Sequence, residues 1–279
     1  MSAPLCDRRA VETILERMGE LAALPHVVFQ VIDASNDPNA PAAAIERAVT
    51  VDPGFAAKLL AEANSAAFAG SLSGAAHVSS IREAVMRLGF TAVRNLALAV
   101  GTFDLFVGKS DAESLRRRAW WKTSVDVAMS AKWVAHRTRV VKPDDAYTGG
   151  LLHLVGKTVL DRCGGVAYSH VRELAKHRHE SESDAERHVY GAHAGAVGQA
   201  AGLRWGFPAA IATAMNPVDP PEGPDPLRAV VAFAAWMVDG IGEPPAWTLE
   251  NLGVSAAELP TLLEEASLAM ASARQRLAS

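Results

Sequence analysis

The stretch TGGLLHLVGKTVL, residues 148–160, sets an imidazole, His153, among small and apolar residues. A histidine with a carboxylate beside it can hold a divalent cation and lower the pKa of a bound water. The residue after His153 is Leu154, whose hydrocarbon side chain has no lone pair to offer a metal. A second histidine, His193 in YGAHAGAVG, also lacks an adjacent carboxylate. The pair Asp144 and Asp145 follows Pro143, where acidic residues meet the positive end of a helix, so capping explains them better than acid–base work. The chain contains no G-x-S-x-G elbow, no G-x-x-x-x-G-K-[ST] phosphate loop and no H-E-x-x-H helix. The histidines of KHRHESESDAERH fall at irregular spacing and read as a solvated turn rather than a metal cluster.

The elements that would have to position these residues are helical. Apolar residues recur at helical spacing in Val11, Ile14, Leu15, Met18 and Leu21, in Val93, Leu96, Ala97, Val100 and Phe103, and in Leu227, Val230, Val231, Ala234 and Met237. No stretch reads convincingly as a strand. Asp52-Pro53 supplies an N-cap and a first-turn proline, and Ser80-x-x-Glu83 and Ser183-x-x-Glu186 match the capping box. The spacing predicts an all-α chain. Residues 104–116, DLFVGKSDAESLR, interrupt the apolar pattern and set a boundary between a module at 1–110 and a second at 111–279. The proline-rich NPVDPPEGPDP, residues 216–226, is expected to be an extended surface loop.

The 279 residues suffice for one large domain or two smaller ones, with 49% hydrophobic and 21% charged residues as in globular proteins. No apolar run reaches the ~20 residues of a membrane span, and the amino terminus lacks the pattern of an export signal. A cytoplasmic location is the expectation. Cys6 and Cys163 are expected to be free thiols. A net charge of -4 gives no global attraction to nucleic acid, so neither a nucleic-acid nor a membrane partner is expected. The run Arg116-Arg117-Arg118 reads as a solvated helix face.

In order along the chain, LPHVVFQVID (24–33), VDPGFAAKLLAEANSAAF (51–68), SSIREAVMRLGFTAVRNLAL (79–98), AWWKTSVDVA and GGLLHLVGK resemble the HDOD family, bacterial signalling proteins related to the HD phosphohydrolases. The resemblance covers roughly residues 8–240 and implies a helical bundle followed by an HD-like helical bundle; the residues beyond match nothing recognisable. It also implies where hydrolase ligands would stand. The first histidine of that pattern falls on Thr123 in WKTS, the aspartate after His153 is Leu154, and the late aspartate falls near Ala234 or Ala235. A histidine pair carried by the HD-GYP branch would align around Val218 and Asp219 and is missing, as is that branch's glycine-tyrosine-proline element.

Neither catalytic residues nor a metal or cofactor site is therefore expected, and the chain reads as a non-enzyme. The leading expectation is a non-catalytic regulator or scaffold that contacts other signalling proteins through an exposed face near the module junction, around Arg116, Arg117 and Arg118. The alternative is a nucleotide sensor that uses the relic cleft, with Thr123, His153, Lys157 and His193 near its wall and the lysine and imidazoles donating to phosphate. A residual phosphohydrolase ranks third. Asn64, at the end of the helix in FAAKLLAEANSAAF, is expected to be a structural polar tie.

Overall fold

The structure is a computed structural model and describes residues 6–18, 28, 30–31, 34, 42–64, 78–103, 106, 111–240 and 242–278. Most of the motif at 24–33, residues 65–68 of the second motif, and residues 104–105 and 107–110 of the expected boundary lie outside that set. Among the described residues the regular elements are helices and no strand occurs, as the apolar spacing predicts. No single helix among them is long and apolar enough to cross a membrane.

Two compact units divide the chain: residues 24–104 form one, and residues 1–23 with 105–279 form the other. The second unit resumes at residue 105, whereas the sequence set its boundary at 110–111. The first 23 residues, however, group with the second unit and not with the first. The reason is the apolar stripe of α1 (Arg8–Met18), which buries Val11, Ile14, Leu15 and Met18. Its packing partners are two helices of the later unit, α8 (Val155–Cys163) and α11 (Ala194–Arg204).

In the smaller unit, α2 (Ala42–Thr50), α3 (Pro53–Ala63), α4 (Ile81–Leu88) and α5 (Phe90–Phe103) pack on one another. The start of α3 is built as its sequence implies, with the Asp52 carboxylate accepting from the Phe55 amide at 3.0 Å and Pro53 in the first turn. Ser80 likewise caps α4 through the Glu83 amide. Phe55, Leu59, Ala63, Ile45, Val85 and Val93 are essentially fully buried. Each large side chain among them contributes on the order of 2 kcal/mol.

Asn64 closes α3. Its Nδ2 donates to the carbonyls of Leu60 and Val78, and its Oδ1 accepts from the Val78 amide, each at 2.8 Å. One side chain thus satisfies three backbone groups on two segments.

In the larger unit the long α6 (Asp111–Thr138) packs along α7 (Pro143–Leu152) and α13 (Pro226–Asp239). α9 (Ser169–Arg178) lies against α10 (Glu182–Tyr190), α12 (Ala209–Ala214) contacts α11 and α13, and α14 (Ala246–Leu252) follows beside α13. α15 (Leu259–Ala278) returns to α6. Glycine permits the tightest of these approaches. A Cβ on Gly156 of α8 would stand 1.9 Å from the Ala194 carbonyl oxygen at the start of α11.

Candidate functional site

His153 and Leu154 form the turn between α7 and α8. The His153 Nδ1 lies 2.5 Å from the Gly150 carbonyl oxygen. A carbonyl only accepts, so Nδ1 carries the hydrogen and Nε2 presents a lone pair. The residue is 5% exposed, and burial lowers its pKa to about 4, opposed by the Gly150 hydrogen bond and assisted by the Lys157 charge. The ring is neutral at neutral pH.

A cavity of about 420 Å³ opens beside this turn, within the range that holds small ligands. His153 and Leu154 line it together with Lys157 of α8. α10 contributes Glu182, Ser183 and Glu186, and α13 contributes Ala232, Ala235, Trp236 and Asp239. The carboxylates of this wall were not legible as a site, because they come from a different helix than the histidine. Glu182 and Glu186 are one helical turn apart and so share a face. Asp239 stands one turn beyond Ala235, a spacing that a scan along α13 would have reached.

Several of these groups are held by one another. Lys157 Nζ donates to Glu182 Oε2 at 2.5 Å and lies 5.8 Å over the Tyr168 ring. Tyr168 donates to Glu186 Oε1, and the Ala194 amide donates to Glu186 Oε2 at 2.7 Å. Burial pushes the Glu186 carboxyl up and the Tyr168 phenol well above its usual range. Ser183-x-x-Glu186 is therefore not the capping box it resembles. Ser181 caps α10 through the Asp184 amide, and Glu186 turns into the interior to bind Tyr168. The segment expected to be a solvated turn thus places one carboxylate in the core.

His193 does not stand in the cavity wall; its neighbours Ala194 and Gly195 do. The ring is fully buried, and Nε2 donates to Asp219 Oδ2 at 2.9 Å. Its Nδ1 has no hydrogen-bond partner among the described residues. Asp219 also accepts from Arg187 at 2.9 Å and Asn216 at 3.1 Å. The His193 hydrogen bond, foremost, holds the Asp219 carboxyl far below the usual carboxylate range. The loop at 216–226 is thus tied inward at its start, where the buried Asn216 also accepts from Arg228 Nε through its carbonyl.

Thr123, expected near the wall, is half-buried on α6 and does not line the cavity, whose helical wall comes from α8, α10, α11 and α13 instead. The arginine run is not a solvated face either. Arg116 donates to Asp161 Oδ1 and Arg117 to Asp161 Oδ2, both at 2.8 Å, and the Arg117 and Asp161 side chains are each 3% exposed. Only Arg118 of the three is exposed. A helix turns successive residues by about 100°, so three adjacent arginines cannot share one face. Cys6 and Cys163 are free, and burial pushes both thiols up, away from the reactive thiolate.

As a metal site the arrangement fits poorly. Leu154 and Ala235, two positions at which the resemblance would place carboxylates, carry hydrocarbon side chains and line the same cavity as His153. Among the described residues no three His, Cys, Asp or Glu side chains converge as a ligand set.

The site thus consists of a histidine at the α7–α8 turn of an all-α chain with a cavity beside it, the arrangement that the resemblance to HD-like helical proteins implies. The chain matches the model of the HDOD domain over residues 21–220 and belongs to that family. Solved structures agree in fold. An HDOD domain protein of unknown function from Geobacter sulfurreducens is 25% identical with a TM-score of 0.67, covering 94% of this chain and 97% of that one. A protein from Marinobacter aquaeolei VT8, proposed to act in signal transduction, is 23% identical with a TM-score of 0.73, covering 95% of this chain and 62% of its own. A proposed phosphohydrolase from Shewanella amazonensis SB2B is 22% identical with a TM-score of 0.69, covering 91% and 93%. No curated protein matches the chain.

Proposed function

We propose that this HDOD protein is a non-catalytic regulator that acts through binding, in signal transduction, and not through turnover. The observation that carries the reading is the company His153 keeps. Its Nε2 is available as a ligand, but the flanking wall positions are Leu154 and Ala235, and among the described residues no three His, Cys, Asp or Glu side chains converge with it. The buried carboxylate nearest in kind, Glu186, is held by Tyr168 and the Ala194 amide. Activating water for phosphoester cleavage needs a metal with several protein ligands and an open position. The output then passes through contacts with other signalling proteins, and the cavity favours a second reading in which a ligand modulates those contacts.

The test is hydrolysis by the purified chain, supplied with manganese, iron or zinc, on nucleotides and cyclic dinucleotides. No turnover is expected, and none in Leu154→Asp, since one carboxylate does not complete the ligand set. Sustained phosphate release, abolished by His153→Ala, overturns the reading.

A further inference from the structure

The charges around the cavity favour a ligand of the opposite sign to a nucleotide. Lys157 is the only cation in the lining among the described residues, and its ammonium is already matched by Glu182. Against it stand Glu182, Glu186, Asp239 and Glu243. Asp239 and Glu243 have no hydrogen-bond or ion-pair partner among the described residues. A phosphate brought here would face Asp239 and Glu243 beyond the matched pair, and like charges at close range repel.

A second observation is independent of those carboxylates. His153 is almost wholly buried and lines the cavity with its Nε2 unpartnered among the described residues. With Nδ1 committed to Gly150, that nitrogen can only accept. Phosphate oxygens also accept, so the pair cannot form a hydrogen bond, whereas an N–H group can. Trp236 adds an aromatic face, its Nε1 donating to the Gly242 carbonyl at 3.1 Å and so orienting the ring. Aromatic faces attract cations. Alanine and proline side chains, Ala232, Ala235, Pro217 and Pro245, supply an apolar remainder.

We propose that this cavity binds a small organic ammonium ion carried on a short apolar or aromatic body. His153 Nε2 accepts one N–H, Asp239 and Glu243 supply the counter-charge, and Trp236 covers the body. Asp239 and Glu243 stand on the exposed side of the cavity, where a cation can reach them. The proposal rests on the binding-not-turnover reading and gives it a ligand class, in place of the phosphate ligand that the sequence suggested.

Calorimetric titration of the full chain tests it, with tyramine and agmatine as probes, p-cresol as the uncharged analogue of tyramine, and ATP and GTP as the anionic alternative. Tyramine or agmatine should bind saturably and raise the melting temperature, while p-cresol, ATP and GTP should not. Asp239→Asn should weaken amine binding by about tenfold while leaving the melting temperature of the free protein nearly unchanged, and Trp236→Phe, which keeps a ring in contact with Phe233, should weaken it less than Trp236→Leu. Absence of saturable binding by either amine overturns the proposal, as does amine binding indifferent to both Asp239→Asn and Trp236→Leu, or binding of ATP in their place. Phosphate release in the metal-supplied assay would overturn the non-catalytic reading without touching the calorimetry, so the two fail separately.

Discussion

A buried imidazole whose one N–H is tied to a carbonyl responds to pH in a single direction. His153 titrates near 4 in the folded chain and near about 6.5 when unfolded. Between those values the unfolded state binds the extra proton. Stability is therefore highest above about pH 6.5, declines as pH falls, and carries the full penalty only below about pH 4. At about pH 5 the loss amounts to ~2 kcal/mol. Urea denaturation at neutral and acid pH should show that slope in the parent and a shallower one in His153→Gln. Asn64 is a different case, since it satisfies groups and does not titrate. Asn64→Ala strands the Val78 amide and carbonyl, with Val78 itself fully buried, and should cost about 1–3 kcal/mol in chemical denaturation. A variant as stable as the parent would reassign that residue to binding.

Among the helices, the connection between α6 and α8 depends on one carboxylate. Asp161 takes two guanidinium groups in a nearly dry setting, and Arg116 also stacks over Trp120 at 5.8 Å, which itself meets Tyr168 edge-on at 4.9 Å. Removing the carboxylate leaves the buried Arg117 with the longer Glu113 contact, at 3.9 Å. Asp161→Asn should lower unfolding free energy by about 3–5 kcal/mol, whereas Arg118→Glu on the solvent side should change it by less than about 0.5 kcal/mol. Equal effects in thermal melts would contradict the buried pair. The same geometry explains why the arginine run is not the partner surface its composition implies. Two of its three members are structural, so charge reversal across the run would unfold the chain before it tested any docking.

At the scale of the whole molecule, α1 is an integral part of a unit whose remaining residues begin more than eighty positions later. Ile14 and Met18 are 4% and 1% exposed against α8 and α11, the helices that flank the cavity. Ile14→Ala and Met18→Ala should each cost about 2–5 kcal/mol, read as a lowered melting temperature of the larger unit. Unchanged melting would mean that α1 is dispensable to that unit.

The helices were legible because their signals are local. Apolar residues at helical spacing, the Asp52-Pro53 and Ser80 caps and the Pro143 start lie within a few residues of what they control, and α3, α4 and α7 begin where those signals stand. The substituted ligand positions could also be named from sequence, and Leu154 and Ala235 do flank the cavity. The pairing of charges was beyond reach. Arg117 meets Asp161 44 residues away, Lys157 meets Glu182 25 away and His193 meets Asp219 26 away, distances at which only helix packing decides which side chains touch. Ser183-x-x-Glu186 shows the difference within one motif. Its spacing is that of a cap, but burial of α10 against Tyr168 turned Glu186 inward and left capping to Ser181. Local chemistry determined where helices form; tertiary packing decided which carboxylates became core, which lined the cavity, and hence the sign of the ligand it suits.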